Sequence, residues 1–271
     1  MMDHTTVTAL LRRLEKGELG GDVQKELPGP YCCCEATAFP LRMIEGLVKD
    51  FHAASICPDD FPGCHSLSPV QIYGDGNCLF RFASVLAIVK QDDHLEHRRR
   101  VALELSMHAR FYSERMAQLA SSASAQSRSP HPFSASSLLQ STLGETGDAV
   151  FVASKKSGRT NSEAYEAALH AETKSLAIPG RYAGLQHIWA LASVLQVSIR
   201  SVYPNVNAEM RHLFNNVLHP RVLAADKPGA DVMKHIMWTH LTSRQHLTSA
   251  WALAAKPLCA SLASRQAQGP A

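Results

Sequence analysis

The chain lacks the long apolar run that a membrane-spanning helix requires. No stretch of about 18 apolar residues occurs, so the sequence predicts no membrane contact. The first residues, MMDHT, lack the basic and apolar regions of a secretory signal. The seven cysteines include no CxxC pair, which favours neither a disulfide framework nor a tetrahedral zinc site. Reduced thiols in the cytoplasm, the nucleus or both are therefore the simplest prediction, with no metal and no cofactor.

Charge is also scarce in this sequence. Charged residues make up 19% of its 271 residues, hydrophobic residues make up 45%, and the net charge at pH 7 is +3. This composition is typical of a globular protein. A charge this small does not by itself indicate nucleic-acid binding, which usually shows a concentrated basic patch. The densest basic cluster, Arg98–Arg100, is interpreted as the solvated face of a helix.

Hydrophobic periodicity predicts helices first and strands later in the chain. The predicted helices cover residues 6–16, 40–54, 78–89, 94–119, 163–176 and 182–195. The predicted strands cover residues 197–203, 211–218 and 232–239.

Three regions are predicted along the chain, and the bounds of the middle one are those implied by its resemblance to a known protein family. Residues 1–69 form an N-terminal extension of helices and loops whose role the sequence does not indicate. Residues 70–250 form the main domain, and a segment rich in Ser, Ala and Pro, 121–137, is predicted to be a flexible surface insertion within it. Residues 251–271 are predicted to be a disordered tail.

The most informative stretch is Tyr73–Arg81, which reads YGDGNCLFR. It sets Cys78 where a glycine-containing turn gives way to an apolar helical run. Gly76 can adopt φ > 0 and has no side chain, so a substrate backbone can approach closely. A cysteine in the first turn of a helix lies near the positive end of the helix dipole, which favours thiolate over thiol. The N–H groups of this turn, around Gly76 and Asn77, can stabilise an oxyanion.

A surface turn followed by a buried cysteine is the alternative interpretation of a short DGNC motif. The run continues as DGNCLFR, however, and resembles the nucleophile motif of the ovarian-tumour (OTU) family of cysteine proteases, most of which are deubiquitinases. The resemblance implies a papain-like α/β (α+β) fold with a small central β-sheet flanked by helices. It also assigns Asp75 to the catalytic set, as an acid or as a stabiliser of the oxyanion loop. An Asx turn is compatible with either role.

A cysteine protease also needs a base beside its thiolate. The resemblance implies a histidine after the last core strand, and His246 is the preferred residue there. His240 is the alternative base, although it lies only two residues beyond Trp238. Each is also open to interpretation as an exposed loop histidine without a catalytic role.

The residues after His246 depart from the family pattern. Leu247 replaces an aromatic residue, and Thr248 replaces the Asn or Asp that often orients the imidazole. A threonine hydroxyl can accept from Nδ1–H but carries no charge to stabilise imidazolium. Asp75 is expected to compensate in part.

Further segments resemble structural parts of the same family. Residues 182–191, YAGLQHIWAL, resemble the family's WGGxxEL helix, with His187 where glutamate is usual. A second resemblance, to the vertnin group of OTU-related proteins, lies in Trp189–Leu195, Tyr203–Pro204, Phe214–Asn215, Pro220–Arg221 and His235–Trp238. That resemblance implies an OTU-like core, here with the DGNC element that vertnin lacks, and a link to transcriptional control in the nucleus.

Two functions stay open from these resemblances. The first is a thiol-dependent deubiquitinase that hydrolyses the isopeptide bond between ubiquitin, or a ubiquitin-like protein, and lysine. The second is a catalytically inactive, vertnin-like nuclear regulator or interaction module, and only this alternative would involve nucleic acid. The retention of Asp75, Gly76 and Cys78 together favours the hydrolase.

Overall fold

The structure is a computed structural model of the chain. It describes residues 9, 12–13, 48–61, 63–64, 67–88, 92–126, 135–181, 183–205, 211, 214–222, 233–238 and 250–255. The helices of this part are α1 (Phe51–Ile56), α2 (Cys78–Ile88), α3 (His94–Met107), α4 (Ala109–Gln126), α5 (Ala135–Lys156), α6 (Asn161–Leu176) and α7 (Leu185–Leu195). Its strands are β1 (Leu67–Val70), β2 (Ile199–Val202), β3 (Val217–Leu218), β4 (Lys234–Trp238) and β5 (Ala250–Ala255).

The five strands form one mixed sheet in the order β1-β5-β4-β2-β3. Strands β2 and β4 are parallel, and the other neighbouring pairs are antiparallel. In the β4–β5 pair Trp238 lies opposite Ala250, so the two strands that flank segment 239–249 are neighbours. The predicted α+β fold, a small central sheet flanked by helices, is confirmed.

The sheet separates two hydrophobic clusters because side chains alternate along a strand. Ile236 and Trp238 of β4 belong to the main core, which is formed with helices α2 to α7. Met237, between them, belongs to a smaller cluster that includes Ala53 of α1 and Phe61. Residues around α1 therefore pack with the same sheet as the rest of the domain.

Two predicted boundaries cut through this sheet. Strand β1 has three of its four residues in the predicted extension 1–69, and β5 lies almost wholly inside the predicted tail 251–271. The sheet therefore includes residues on both sides of these predicted boundaries, and α1 packs with it. The AWALAA sequence of β5 has little alternation of polar and apolar residues, so its sequence alone does not predict that it pairs with two neighbouring strands.

Several predicted helices need correction. The predicted helix 94–119 is two helices that meet at His108, whose φ is −125° and ψ is 31°. Helix α4 continues to Gln126 and α5 begins at Ala135, so the prediction of a flexible insertion over 121–137 is wrong at both of its ends. In the predicted helix 40–54, Lys49 instead pairs with Val70, and α1 begins after a cap by Asp50.

Candidate active site

Cys78 is the first residue of α2, where the sequence predicts it. The carbonyl of Asn77 accepts hydrogen bonds from the N–H groups of Phe80 and Arg81, both at 2.9 Å, and so starts the helix. The Cys78 side chain is 4% exposed and packs in the main core cluster. The sulfur therefore lies at the positive end of a helix, largely shielded from solvent.

The Asp75 carboxylate stabilises the turn that precedes Cys78. It accepts from the backbone N–H of Asn77 at 3.0 Å, which is an Asx turn, and from Asn77 Nδ2 at 3.1 Å. Arg81, one turn into α2, donates to it from Nε at 3.1 Å and from Nη2 at 2.6 Å. Burial alone would raise the pKa of Asp75, but the hydrogen bonds from Arg81 and Asn77 hold this pKa well below its usual value. This geometry favours the loop-stabilising role of Asp75 over a role as an acid.

Asn77 joins the turn to a second loop. Its side-chain Oδ1 accepts from the backbone N–H of Gly180 at 3.0 Å. Its own N–H donates to Asp75, so the geometry gives no support to Asn77 as an oxyanion donor. Asn77 acts here through its side chain, as a bridge between sequence positions that are far apart.

Gly76 has the predicted positive φ, +78°. The absence of a side chain at this position makes room for another loop of the protein itself. A Cβ atom at this position would lie 2.0 Å from the carbonyl oxygen of Gly180. Gly180 also has a positive φ, +81°. The two backbones pack directly against each other, so only glycine fits at residue 76.

Arg98 of α3 is buried beside this turn, so the interpretation of Arg98–Arg100 as a solvated face is wrong. Its side chain is 1% exposed, and its guanidinium lies 4.4 Å from the ring centre of Phe80. It donates to the carbonyl of Gly76 at 2.7 Å. Burial lowers the pKa of Arg98 to about 10, while negative charge on Cys78 and Asp75 acts in the opposite direction.

His187 caps the first turn of α7. Its Nδ1 accepts from the N–H of Gly184 at 2.7 Å, which is the capping contact that a glutamate at the same helix position would make. The accepting Nδ1 requires a neutral ring. Burial and the nearby charge of Arg98 lower the pKa of His187 to about 3, so the ring is neutral at neutral pH.

Both predicted bases, His240 and His246, lie outside the described residues. The structure does define what flanks them in the chain: β4 ends at Trp238, and β5 begins at Ala250. Trp238 Nε1 donates to Ser201 Oγ at 2.6 Å, which anchors the end of β4. Helix α2, which carries Cys78, contacts β5. The strand that follows His246 in sequence therefore packs against the helix that begins with Cys78.

The described residues contain neither a metal-binding cluster nor a membrane-spanning helix. Within these ranges, no group of three or more His, Cys, Asp or Glu side chains could hold a metal ion. Over the same ranges, none of the helices is both long enough and apolar enough to cross a bilayer.

Comparison with known proteins establishes the family. A family model described as the OTU domain of vertnin matches residues 69–239. The chain belongs to the vertnin OTU-domain family. The matched region includes the Asp75–Cys78 turn and ends before His240 and His246.

Vertnin proteins from several vertebrates are similar to most of the chain. Vertnin from Ailuropoda melanoleuca is 31% identical over 221 residues, which is 79% of this chain and 26% of that protein. Vertnin from Homo sapiens is 30% identical over 72% of the chain and 24% of its own length. Vertnin from Danio rerio is 29% identical over 70% of the chain and 25% of its own length. The chain thus spans about a quarter of the length of these curated relatives.

The sequence interpretation missed Arg98, Arg81 and Gly180 as parts of this site. A signal for Arg98 was present, because it lies three residues before Val101 and seven before Leu105, on the apolar stripe of the predicted helix. Arg81 lies within the motif itself, but only its contact with Asp75 reveals its role. Nothing local marks Gly180, since its partner is more than a hundred residues away.

Proposed function

We propose that this chain is a thiol-dependent deubiquitinase that hydrolyses isopeptide bonds between ubiquitin, or a ubiquitin-like protein, and lysine. The observation that carries the proposal is the placement of Cys78 at the start of α2, directly after a turn held by Asp75 and Asn77. Membership of an OTU-domain family supports a ubiquitin-related partner.

In the proposed reaction the Cys78 thiolate attacks the isopeptide carbonyl carbon. The oxyanion that forms is assigned to N–H groups near the start of α2, and loss of one such donor typically costs ~2.7–4 kcal/mol. His246, protonated when Cys78 is a thiolate, gives its proton to the leaving lysine amine. His246 then takes a proton from the water that attacks the thioester, and the breaking C–S bond releases the ubiquitin carboxylate and restores the thiolate–imidazolium pair.

The base is assigned to His246 on two grounds. It follows β4, the strand after which the family resemblance expects the histidine, and β5, which begins at Ala250, contacts α2. His240 is the alternative base under the same proposal.

A ubiquitin carrying a C-terminal electrophile tests the proposal directly. We expect it to form a covalent adduct at Cys78, read by intact mass and peptide mapping. Cys78→Ala should abolish the adduct, and Cys64→Ala, which changes another cysteine of the same chain, should leave it intact. Correctly folded protein that forms no adduct would contradict the proposal.

A second function, a catalytically inactive regulator or interaction module, is favoured by a different observation. The family match ends at residue 239, so it includes neither candidate base, and the Cys78 side chain is 4% exposed. Under this alternative the chain binds chromatin or DNA with salt-dependent affinity. Equal DNA binding by the wild type and Cys78→Ala, together with no adduct, would support it. Absence of DNA binding would remove its nucleic-acid form.

Reduced thiols suit the cytoplasm, the nucleus or both, and we propose these compartments for the protein. Imaging of the tagged full chain in cells tests this assignment, and a signal confined to the secretory pathway would contradict it.

A further inference from the structure

Arg98 makes an unusual set of contacts for a buried cation. Its guanidinium donates to four backbone carbonyls and stacks on Phe80. Nη2 donates to Gly76 at 2.7 Å and Arg181 at 2.6 Å, and Nη1 donates to Leu176 at 2.8 Å and Ile178 at 3.1 Å. These acceptors come from the turn Asp75–Cys78, called here the nucleophile turn, and from segment 176–181. One side chain therefore joins two loops.

The four acceptors are neutral, so they satisfy the Nη1 and Nη2 donors of Arg98 without cancelling its charge, while Nε is buried with no hydrogen-bond partner among the described residues. A buried charge that lacks a counter-charge is costly. Among the described residues, the negative groups that act on Arg98 are Asp75, whose carboxylate is already paired with Arg81, and Cys78 when it is ionised. An ionised Cys78 would therefore supply the negative charge that the buried guanidinium needs.

The chemistry of this contact requires arginine. A planar guanidinium can donate to several carbonyls in its plane while its face covers an aromatic ring. A lysine ammonium at the same place is a point charge with three donors, so it can keep the charge but cannot hold all four carbonyls.

We propose that Arg98 is a positioning residue for Cys78, which locks the Gly76 carbonyl to segment 176–181 and places a positive charge within electrostatic reach of the sulfur. The attraction between the two charges is mutual, so the guanidinium favours the thiolate over the thiol. This inference rests on the proposed function, since it assigns the residue that prepares Cys78 for attack.

The test follows alkylation of Cys78 by iodoacetamide in the full chain, quantified on the Cys78 peptide by mass spectrometry between pH 5 and pH 9.5. His187 stays neutral over this range because its pKa is lowered to about 3, and Asp75 stays ionised because its pKa is also lowered. Arg98→Gln removes the charge, so we expect the midpoint of the profile to rise by at least about one pH unit. Arg99→Gln, the same change one residue along, is the matched control and should leave the midpoint unchanged.

Arg98→Lys separates the charge from the hydrogen bonds. We expect it to keep the midpoint close to that of the wild type while slowing adduct formation with the ubiquitin electrophile by about tenfold or more, since a small displacement of a nucleophile has effects of this size. If Arg98→Gln fails to fold, Arg98→Lys decides: a midpoint and an adduct rate both equal to those of the wild type would overturn the inference. A Cys78 that never reacts with iodoacetamide in the folded wild type would also overturn it.

Failure of this inference differs from failure of the proposed function. The alkylation profile requires no ubiquitin, and repeating it in the His246→Ala background removes the contribution of the proposed base. A profile that depends on Arg98 without any ubiquitin adduct would retain the positioning role and reject the deubiquitinase. An adduct whose rate and pH profile are the same with and without Arg98 would do the reverse.

Discussion

The two sides of the candidate site differ in how the chain builds them. The nucleophile side is held by contacts in three directions: Asp75 within the turn, Arg81 from α2, and Arg98 from α3. The base side depends on segment 239–249, which lies between β4 and β5 and outside the described residues, and both candidate histidines follow the end of the family match.

Under the proposed function, catalysis requires the base side as well as the turn that carries Cys78. The polar contacts around Cys78 would be costly to maintain if the turn were an ordinary surface loop, because buried donors and a buried cation need partners. The nucleophile side is thus prebuilt in the free protein. Whether turnover follows depends on one histidine of segment 239–249 reaching the sulfur.

Replacing the two histidines tests the base side and should have the largest effect. We expect His246→Ala to lower the rate of hydrolysis of a fluorogenic ubiquitin amide by about 10²–10⁴-fold, because a positioned general base contributes a factor of this size. His240→Ala, the matched control, should leave the rate unchanged. A large loss of rate in His240→Ala and none in His246→Ala would assign His240 as the base. Small and equal losses of rate in both variants would place the base elsewhere.

Adding one methyl group at Gly76 tests the nucleophile side. We expect Gly76→Ala to lower the free energy of unfolding by about 3 kcal/mol, because left-handed strain of about 1–2 kcal/mol adds to a clash with the Gly180 carbonyl. Gly158 has a similar φ, +84°, and a Cβ added there would meet nothing within 4 Å, so Gly158→Ala isolates the strain and should cost about 1 kcal/mol. Urea denaturation measures both, and equal losses would show that the two backbones are not packed as described.

Lowering the pH should reduce the contribution that His187, which caps α7, makes to the free energy of unfolding. The pKa of His187 is lowered from 6.5 to about 3 on folding, so as the pH falls below 6.5 the unfolded chain binds a proton that the folded protein does not. Its contribution to stability is complete above pH 6.5 and is lost as the pH falls towards 3. At pH 5 this loss is about 2 kcal/mol relative to pH 7.5.

His187→Gln provides the control for that pH dependence, since glutamine can still accept from the Gly184 N–H but does not titrate. We expect urea denaturation at pH 7.5 and pH 5 to show a smaller drop in the variant. His97 and His235, whose pKa values are each lowered to about 4, titrate in both proteins and cancel in the comparison. The same drop in both proteins would contradict the buried, neutral His187.

The smallest expected change in stability comes from the Asp75 carboxylate. Its side chain is 39% exposed, so Asp75→Asn should cost only about 1 kcal/mol although it removes the pair with Arg81. Adduct formation with the ubiquitin electrophile should nevertheless slow by about tenfold or more, because the turn that positions Cys78 is loosened.

Asp60→Asn is the matched control for that change. It also removes a partly exposed aspartate–arginine pair, with Arg211, and involves no residue of the nucleophile turn. It should cost a similar free energy of unfolding and leave the adduct rate unchanged. Equal slowing in the two variants would show that Asp75 acts only through general stability.

Local sequence accounts for much of the fold. The apolar periods of α2, α6 and α7 match helices of the structure, and α6 directs one apolar stripe to the core. Strands β2 and β4 lie within the predicted strands, although each is apolar on both faces, since Val202 and Met237 belong to the smaller cluster. Strands β1 and β5 were missed since their place in the sheet depends on partners elsewhere in the chain. The break at His108 was missed because the apolar period continues through it.

The sequence by itself determined the Asp75–Cys78 turn. The DGNC order places a carboxylate that can accept hydrogen bonds, a glycine and a thiol at the start of a helix, and the contacts of Asp75 with Asn77 and Arg81 span only a few residues. Only the tertiary structure decided that Gly76 is pressed against Gly180 and that Arg98 lies buried beside them. Those contacts join positions that are distant in sequence. A local pattern shows which groups need partners, and the packing of helices and loops determines which partners they receive.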